Sequence, residues 1–217
     1  MAQSNIIYFP DKVQEELINV LDKLVDYAVQ QYQKEIVEIT EHYLKRMNIS
    51  EKTENRVFTQ MFWWTIFCYR MKLTRITVFQ EFLKVNKEEW ERKSMTVQQV
   101  LASWLNLSPG FYYVENDRSG KFFIFRDIFE GDRKIVGVHS KGSRRPVQGE
   151  FVSVMLLPLE DGSFLSQGRI IYISETKSTT IVDKISSYYE KHAISPSYLL
   201  NPQLYPELLR IALEADG

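Results

Sequence analysis

The sequence contains a single cysteine, Cys68, among its 217 residues. One cysteine excludes a disulfide within the chain and any metal cluster that needs several thiolates from one chain. Long apolar runs are also missing, because the longest, Met61 to Tyr69, is far below the roughly 20 residues that span a bilayer. The first residues lack the basic and apolar regions of a secretory signal. These absences predict a cytoplasmic protein that does not enter membranes.

An excess of charge of either sign is missing as well. Lysine and arginine total 27, against 28 aspartate and glutamate residues. Net charge therefore does not direct the chain toward nucleic acid or anionic lipid. Hydrophobic residues make up 44% and charged residues 25%, which is typical of a globular protein. A surface that binds polyanions would have to be a local patch.

Glycine is absent before position 110, whereas eight of the nine glycines lie between positions 110 and 168. In the glycine-free part, apolar residues recur at steps of three or four, which indicates amphipathic helices. We expect a long helix over 12–47, or two helices in its place, followed by three shorter ones. Capping pairs such as Thr77 with Gln80 and Thr96 with Gln99 indicate helix starts. The first 107 residues are predicted to form a helical domain.

The glycine-rich part contains five segments that are enriched in aromatic and β-branched residues, which predicts five strands. The segments are Phe111 to Glu115, Lys121 to Arg126, Lys134 to His139, Glu150 to Leu159 and Ser163 to Ser174. Short connections rich in Asn, Asp and Gly indicate hairpins and a largely consecutive strand order. Five short strands favour a small antiparallel barrel of SH3-like or OB-like type, with an open sheet packed on helices as the alternative.

Helical periodicity returns after the strands, from about Thr180 to His192 and again from Pro206 to Leu213. The chain is therefore expected to be α+β. We predict a helical domain over 1–107, a five-stranded β unit over 108–175, and C-terminal helices over 176–217 that pack on one or both.

Four stretches carry a family resemblance. They are TVQQVLASWLNLSPGFYYVE (96–115), FRDIFEG (125–131), GEFVSVMLLPLEDG (149–162) and FLSQGRIIYI (164–173). Together they resemble a group of bacterial proteins, found among Bacillus-like species, in which a helical region and a small β unit often precede a SecA-type zinc-binding tail. Such a tail needs several cysteines, and no cysteine follows Cys68. The resemblance therefore implies a helical region with a β unit, but no zinc site.

Motifs of the common enzyme classes are missing from the sequence. It has no P-loop, no dinucleotide-binding glycine motif and no paired histidine ligands, and His42, His139 and His192 are far apart. No cofactor or metal is expected. Three carboxylates near a glycine turn, Asp127, Glu130 and Asp132, form a candidate acidic site for acid–base chemistry or a divalent cation. Turn formation explains the same residues, because Asp beside Gly favours tight turns.

Basic residues are concentrated in the β unit, where they could bind nucleic acid or another anion. The candidates are Arg118, Lys121, Arg133, Lys134, Lys141, Arg144 and Arg145. Cations next to strand aromatics such as Phe123 and Phe125 can neutralise phosphates while the rings stack on bases. The alternation of the strand also allows these rings to be buried, in which case they could not stack.

Amphipathic helix is abundant, in the segment 12–47 and in the stretch from Ser195 to Ala215. Either apolar stripe could dock on a partner protein or on a second copy, and either could pack within the chain. Because the enzyme motifs are missing, the leading interpretation is a non-enzymatic protein-interaction or adaptor protein. Nucleic-acid binding through the basic loop and an enzyme built on the turn carboxylates are the alternatives.

Overall fold

The computed structural model describes residues 12–47, 49, 51–117, 122–130, 134–138, 144–173 and 177–216. These residues form seven α-helices, five strands and three short 3-10 turns. The helices are α1 (Lys12–Met47), α2 (Glu51–Phe67), α3 (Val78–Val85), α4 (Lys87–Glu91), α5 (Met95–Ser103), α6 (Ser178–His192) and α7 (Tyr205–Asp216). The strands are β1 (Gly110–Asp117), β2 (Phe122–Asp127), β3 (Lys134–Val138), β4 (Phe151–Pro158) and β5 (Phe164–Ile173). The chain is α+β, as the sequence predicts.

The N-terminal helix α1 is one unbroken helix of 36 residues. At about 1.5 Å of rise per residue, it is roughly 54 Å long. Ion pairs join it to other elements near both ends. Glu16 Oε2 lies 3.3 Å from Lys93 Nζ, and Arg46 Nη2 lies 3.6 Å from Glu207 Oε2. The helix therefore extends from the start of α5 to α7. Among the described helices, α1 included, none is both long enough and apolar enough to cross a bilayer.

Helix α2 lies at the centre of the helical part. It packs on α1 along one side and on β5 along another. Met61, Trp64 and Ile66 are all buried, although they point in different directions around the helix. Contacts on several sides explain why apolar residues nearly encircle the axis of this helix in the sequence.

Two helix boundaries differ from the sequence prediction. The capping box of Thr77 and Gln80 starts α3 as expected, but α3 ends early and Asn86 separates it from α4. The start of α5 is capped by Ser94, whose hydroxyl accepts a hydrogen bond from the amide three residues later at 3.3 Å. The cap predicted at Thr96 is therefore wrong by two positions. The capping-box pattern missed Ser94 because no Glu or Gln stands three residues after it.

The five strands form one mixed sheet in the order β1-β2-β3-β5-β4, and β4 also pairs with β1. The first three strands are antiparallel neighbours, as the predicted hairpins require. β3 and β5 instead run parallel, with Gly137 opposite Phe164. The expectation of a fully antiparallel sheet is wrong at this pair. Since β1 is antiparallel to both β2 and β4, a β5 that lies between β3 and β4 has to run in the direction of β3.

Strand alternation separates two apolar clusters. The interior of the sheet contains Tyr112, Val114, Phe123, Phe125, Ile135, Val152, Val154, Leu156 and Ile170. The opposite face of β4 and β5 contributes Phe151, Met155, Leu157 and Ile171 to a larger core shared with the helices. This arrangement explains why β4 is buried on both faces. It also combines residues from all three predicted parts of the chain in one core.

A glycine on β5 marks the point where α2 is fastened to the sheet. Gly168 has a φ of +76°, and a Cβ added there would lie 3.0 Å from Cδ1 of Trp63. Gln60 of α2 donates from Nε2 to the carbonyls of Gln167 at 3.2 Å and of Arg169 at 2.8 Å. The close approach of α2 to β5 therefore depends on a residue without a side chain.

The loop between α2 and α3 contains a non-glycine residue in the left-handed region, Arg75, with a φ of 62°. A side chain costs roughly 1 kcal/mol in this conformation, which glycine adopts freely. We expect Arg75→Gly to raise the free energy of unfolding by about 1 kcal/mol or less, as measured by urea denaturation. Arg75→Ala keeps the unfavourable conformation and is the control, with little change expected. A glycine variant less stable than the wild type would contradict this explanation.

Candidate functional site

Three of the seven basic candidates, Lys134, Arg144 and Arg145, lie among the described residues, whereas Arg118, Lys121, Arg133 and Lys141 lie outside them. Lys134 Nζ lies 2.7 Å from Glu115 Oε2. Arg126 Nε lies 3.3 Å from the other oxygen of the same carboxylate. Glu115 therefore offsets positive charge on the outer face of β2 and β3, where the sequence suggested a binding surface.

Arg144 lies in a different environment, against β5. Its guanidinium carbon is 4.2 Å from the centroid of the Tyr172 ring, and the group pairs with the carboxylate of Glu150. The Tyr172 hydroxyl donates to the backbone carbonyl of Arg144. Arg56 of α2 lies 5.5 Å from the centroid of the same ring. Burial raises the pKa of Tyr172 to about 12, against the opposing effect of Arg144. We call Arg56, Arg144 and Tyr172 the arginine–tyrosine cluster.

Two of the strand aromatics that could have stacked on bases are not accessible. Phe123 and Phe125 are buried in the interior of the sheet, where they pack against the other strands. Phe122 belongs to β2, but its side chain lies outside the described side chains. Base stacking on Phe123 or Phe125 is therefore excluded, and nucleic-acid binding would have to use other groups.

The two described turn carboxylates are engaged by backbone and side-chain donors, whereas Asp132 lies outside the described residues. Asp127 is buried, and its Oδ1 accepts hydrogen bonds from the amides two and three residues later at 2.9 and 3.3 Å. Glu130 Oε1 accepts from Ser197 Oγ at 3.0 Å and from the amide of Tyr198 at 2.9 Å. These contacts shape the turn and hold the C-terminal segment, which favours a structural role for both carboxylates.

The remaining described titratable candidates, His42, Cys68 and His192, do not form a cluster. His42 and His192 are exposed on α1 and α6, and His139 lies outside the described residues. Burial raises the pKa of the Cys68 thiol, whose Sγ lies 3.2 Å from the carbonyl oxygen of Leu107. Within the part of the chain that the structure describes, no three His, Cys, Asp or Glu side chains are grouped so that they could hold a metal ion.

A cleft of about 620 Å³ opens between the end of α2, the turn after α5 and the chain from Ile194 to Gln203. We call it the α2 cleft. Aromatic and aliphatic side chains supply most of its lining, including Tyr43 and Trp64. Arg70 is the one charged side chain among the described residues that line it. The volume lies in the usual range of binding pockets, about 300–1,000 Å³.

The rim of the α2 cleft exposes large aliphatic side chains. Leu105 is 39% exposed, Leu200 is 57% exposed and Ile194 is 84% exposed. Single exposed leucines are common on protein surfaces, whereas several around one apolar depression are typical of interaction sites. The cleft therefore combines an aliphatic rim with a mixed lining, in which polar side chains stand beside the apolar ones: Thr77, Gln80, Asn106 and Gln203.

One wall of the cleft, residues 194–203, is held in place by the fully buried amide of Asn201. Its Oδ1 accepts hydrogen bonds from the amides of Ile194 at 2.8 Å and Ser195 at 3.2 Å. Its Nδ2 donates to the carbonyls of Ser195 at 2.8 Å and Ser197 at 2.7 Å. One side chain thus satisfies several backbone groups of a segment that has little regular structure of its own.

Trp64 joins this wall to the helices. Its Nε1 donates to the carbonyl of Pro202 at 2.7 Å. The ring packs edge-on against Tyr43 of α1, with centroids 5.3 Å apart, and against Tyr69, with centroids 5.7 Å apart. The cleft is therefore built on a buried, hydrogen-bonded support rather than on a loose terminal segment.

The sequence indicated only part of this site. The apolar stretch from Ser195 to Ala215 was a candidate docking segment, and its first residues form a wall of the cleft. Arg70, Leu105 and Arg56 were missed, because a lone arginine or leucine in a helical pattern is most simply explained as solvated. No local pattern could show which residues of other elements lie beside them.

Comparison of the chain with protein-family models, with curated proteins and with solved structures gives no match.

Proposed function

We propose that the protein is a non-enzymatic interaction module whose α2 cleft receives an apolar segment of a partner protein that carries one acidic residue. One observation supports this most strongly. The cleft has aromatic side chains in its lining and exposed aliphatic side chains on its rim, and Arg70 carries the one charge among its described lining residues. A partner that matches this surface presents apolar side chains to the walls and one carboxylate to Arg70.

The rim provides free energy for association. Complete burial of an exposed leucine or isoleucine side chain contributes about 1.5–3 kcal/mol. Leu105, Leu200 and Ile194 are already partly buried, each to a different extent. A partner that covers them therefore gains only part of this free energy at each residue. Loss of motional freedom and ordering of the bound segment oppose the gain. The balance favours a short apolar segment over a small polar ligand.

Arg70 supplies selectivity. A guanidinium pairs with a carboxylate through two parallel hydrogen bonds, and the pair strengthens where a bound segment excludes water. The same positive charge disfavours segments that bring lysine or arginine into the cleft. The acidic residue of the partner is therefore expected to decide which apolar segments bind.

We further propose that the closed ring of strand pairings is an OB-like barrel that acts as a scaffold. An exchange of β4 and β5 relative to the chain order, with a parallel β3–β5 pair, supports a Greek-key barrel of this type rather than a simple meander. A cytoplasmic location and kinship with the Bacillus-type group are proposals of the same kind. The single cysteine and the strand-end motifs support them.

Selection of a displayed random-peptide library on the purified protein tests the proposed function. We expect enrichment of peptides that combine several apolar residues with one Asp or Glu. Leu200→Glu places a negative charge at the rim and should weaken the selected peptides about tenfold or more, as measured by fluorescence anisotropy. Leu73→Glu is the matched control, because Leu73 is 92% exposed and lies outside the lining of the cleft, so its binding should be unchanged.

Three outcomes would contradict the proposal. A library that yields no enriched peptide would remove the cleft as a segment-binding site. Equal loss of affinity in Leu200→Glu and Leu73→Glu would show that binding lies elsewhere. A wild-type dimer in light scattering that Leu200→Glu converts to a monomer would show that the cleft binds a second copy of the chain rather than a different protein.

A further inference from the structure

The arginine–tyrosine cluster brings two guanidinium groups to one aromatic ring. The guanidinium carbons of Arg144 and Arg56 lie 4.2 and 5.5 Å from the centroid of Tyr172. The three residues come from α2, from the segment before β4 and from β5, so the fold itself assembles the group. A cation over an aromatic face is stabilised there and loses little additional side-chain entropy when it binds a ligand.

The two arginines differ in their protein partners. Arg144 pairs with Glu150, whose other oxygen accepts a hydrogen bond from the amide of Val147 at 2.8 Å. Glu150 therefore fixes Arg144 and offsets its charge. Arg56 contacts the Tyr172 ring, and among the described residues no carboxylate lies within ion-pair distance of it. Within that part of the chain, its N–H groups have no carboxylate partner and can bind an anion.

Among the described residues, two guanidinium groups lie at the Tyr172 ring, and one of them, that of Arg144, is paired with the carboxylate of Glu150. Arg145 follows Arg144 directly and is exposed. The cluster thus concentrates arginines on a chain whose positive and negative side chains nearly balance. Such a cluster attracts polyanions at short range, since solvent ions screen charge beyond about 10 Å at moderate salt.

We propose that the arginine–tyrosine cluster binds the phosphate backbone of single-stranded nucleic acid, with Arg56 as the main phosphate ligand. The Arg144 side chain is 52% exposed, and an ion contact at an exposed position strengthens binding by no more than about fivefold. A single phosphate would therefore bind too weakly to be retained. A polynucleotide can place neighbouring phosphates on Arg56 and Arg144 at the same time, and its binding releases counterions.

Base stacking is not part of this site, because the two guanidinium groups already lie against the Tyr172 ring. Binding should therefore be independent of base identity. This separates the inference from base stacking on Phe123 and Phe125, which the burial of both rings excludes. It is also independent of the α2 cleft, which neither Arg56 nor Tyr172 lines.

Fluorescence anisotropy with labelled oligothymidine and oligoadenosine, at low salt and over a salt series, tests the proposal. We expect equal affinity for the two oligomers. Arg56→Ala should lower the affinity about threefold to fivefold and reduce the slope of log K against log salt by about 0.7. Arg92→Ala is the matched control, because it removes one exposed arginine outside the cluster and should leave both quantities unchanged. Tyr172→Leu should reproduce the Arg56→Ala defect, because it removes the ring that holds both guanidinium groups.

Circular dichroism tests whether each variant is folded. If Arg56→Ala is unfolded, Arg56→Gln, which keeps most of the side-chain volume, takes its place. Several results would overturn the proposal: no binding at low salt, equal loss in Arg56→Ala and Arg92→Ala, or complete competition by millimolar inorganic phosphate, which would indicate a site for one phosphate. Arg70→Ala and Leu200→Glu, which alter the α2 cleft, should bind the oligomers like the wild type. Loss in those two variants would also contradict the independence of the two surfaces.

Discussion

Replacing Trp64 by alanine is expected to lower the free energy of unfolding by about 3–5 kcal/mol. The ring is only 2% exposed and packs edge-on against Tyr43 and Tyr69, so its removal leaves a cavity between α1, α2 and the cleft wall. The same change removes the donor that Pro202 accepts at 2.7 Å. Chemical denaturation monitored by far-ultraviolet circular dichroism measures the loss, because the other tryptophans complicate fluorescence.

Trp64→Phe separates packing from hydrogen bonding at this position. It keeps most of the apolar ring but leaves the carbonyl of Pro202 without its donor, so we expect a smaller loss of about 1–3 kcal/mol. If Trp64→Ala lowered the free energy of unfolding by less than about 1 kcal/mol, the wall would not depend on this residue. Equal losses in the two variants would assign the whole effect to the hydrogen bond.

Asn201→Ala is expected to destabilise the protein by roughly 3–5 kcal/mol, because the side chain is fully buried and satisfies four backbone groups. An alanine leaves the amides of Ile194 and Ser195 and the carbonyls of Ser195 and Ser197 without this partner. Amide hydrogen exchange should also speed up at Ile194 and Ser195, whose amides lose their acceptor. A variant with unchanged stability and unchanged exchange would show that the wall holds itself in place.

Asn201→Asp gives the same site a pH dependence. The introduced carboxyl keeps the shape and the acceptor of the amide, but when ionised it faces the carbonyls of Ser195 and Ser197. Burial and these carbonyls raise its pKa in the folded protein above the unfolded value of about 3.9. The folded state then binds more protons than the unfolded state, so the stability of this variant should fall as pH rises above about 4. If the free energy of unfolding of this variant changed with pH no more than that of the wild type, the hydrogen bonds assigned to Asn201 would be contradicted.

Much of the fold could be predicted from local sequence patterns. The three-or-four spacing over 12–47 predicts α1 because one face of a long helix must be buried. The glycine-bounded aromatic segments predict the positions of the strands, because side chains along a strand alternate between its two faces and apolar ones repeat every second residue. The parallel pairing of β3 with β5 could not be predicted, because hairpin signals specify only neighbours along the chain. The break at Asn86 was missed because the apolar pattern continues to Trp90 across it.

The candidate sites could be predicted much less well. Arg144 stood out because it lies in a basic stretch of the sequence, but Arg56 belongs to a helix whose pattern indicates only burial and solvation. The packing of α2 on β5 decides that Arg56 and Tyr172 share a ring contact. Arg70 likewise gains significance only from the apolar residues that three separate segments place around it. Sites that depend on contacts between distant elements leave no local signal.

Hydrogen exchange of the wild-type protein, with and without a peptide selected on it, tests most directly whether the α2 cleft is the interaction site. We expect the bound peptide to slow exchange at residues 68–70, 105–107 and 194–203, which surround the cleft, and to leave β2 and β3 unchanged. Protection confined to the sheet, or none in these three segments despite saturating peptide, would contradict the assignment of the cleft as the surface on which this protein binds its partner.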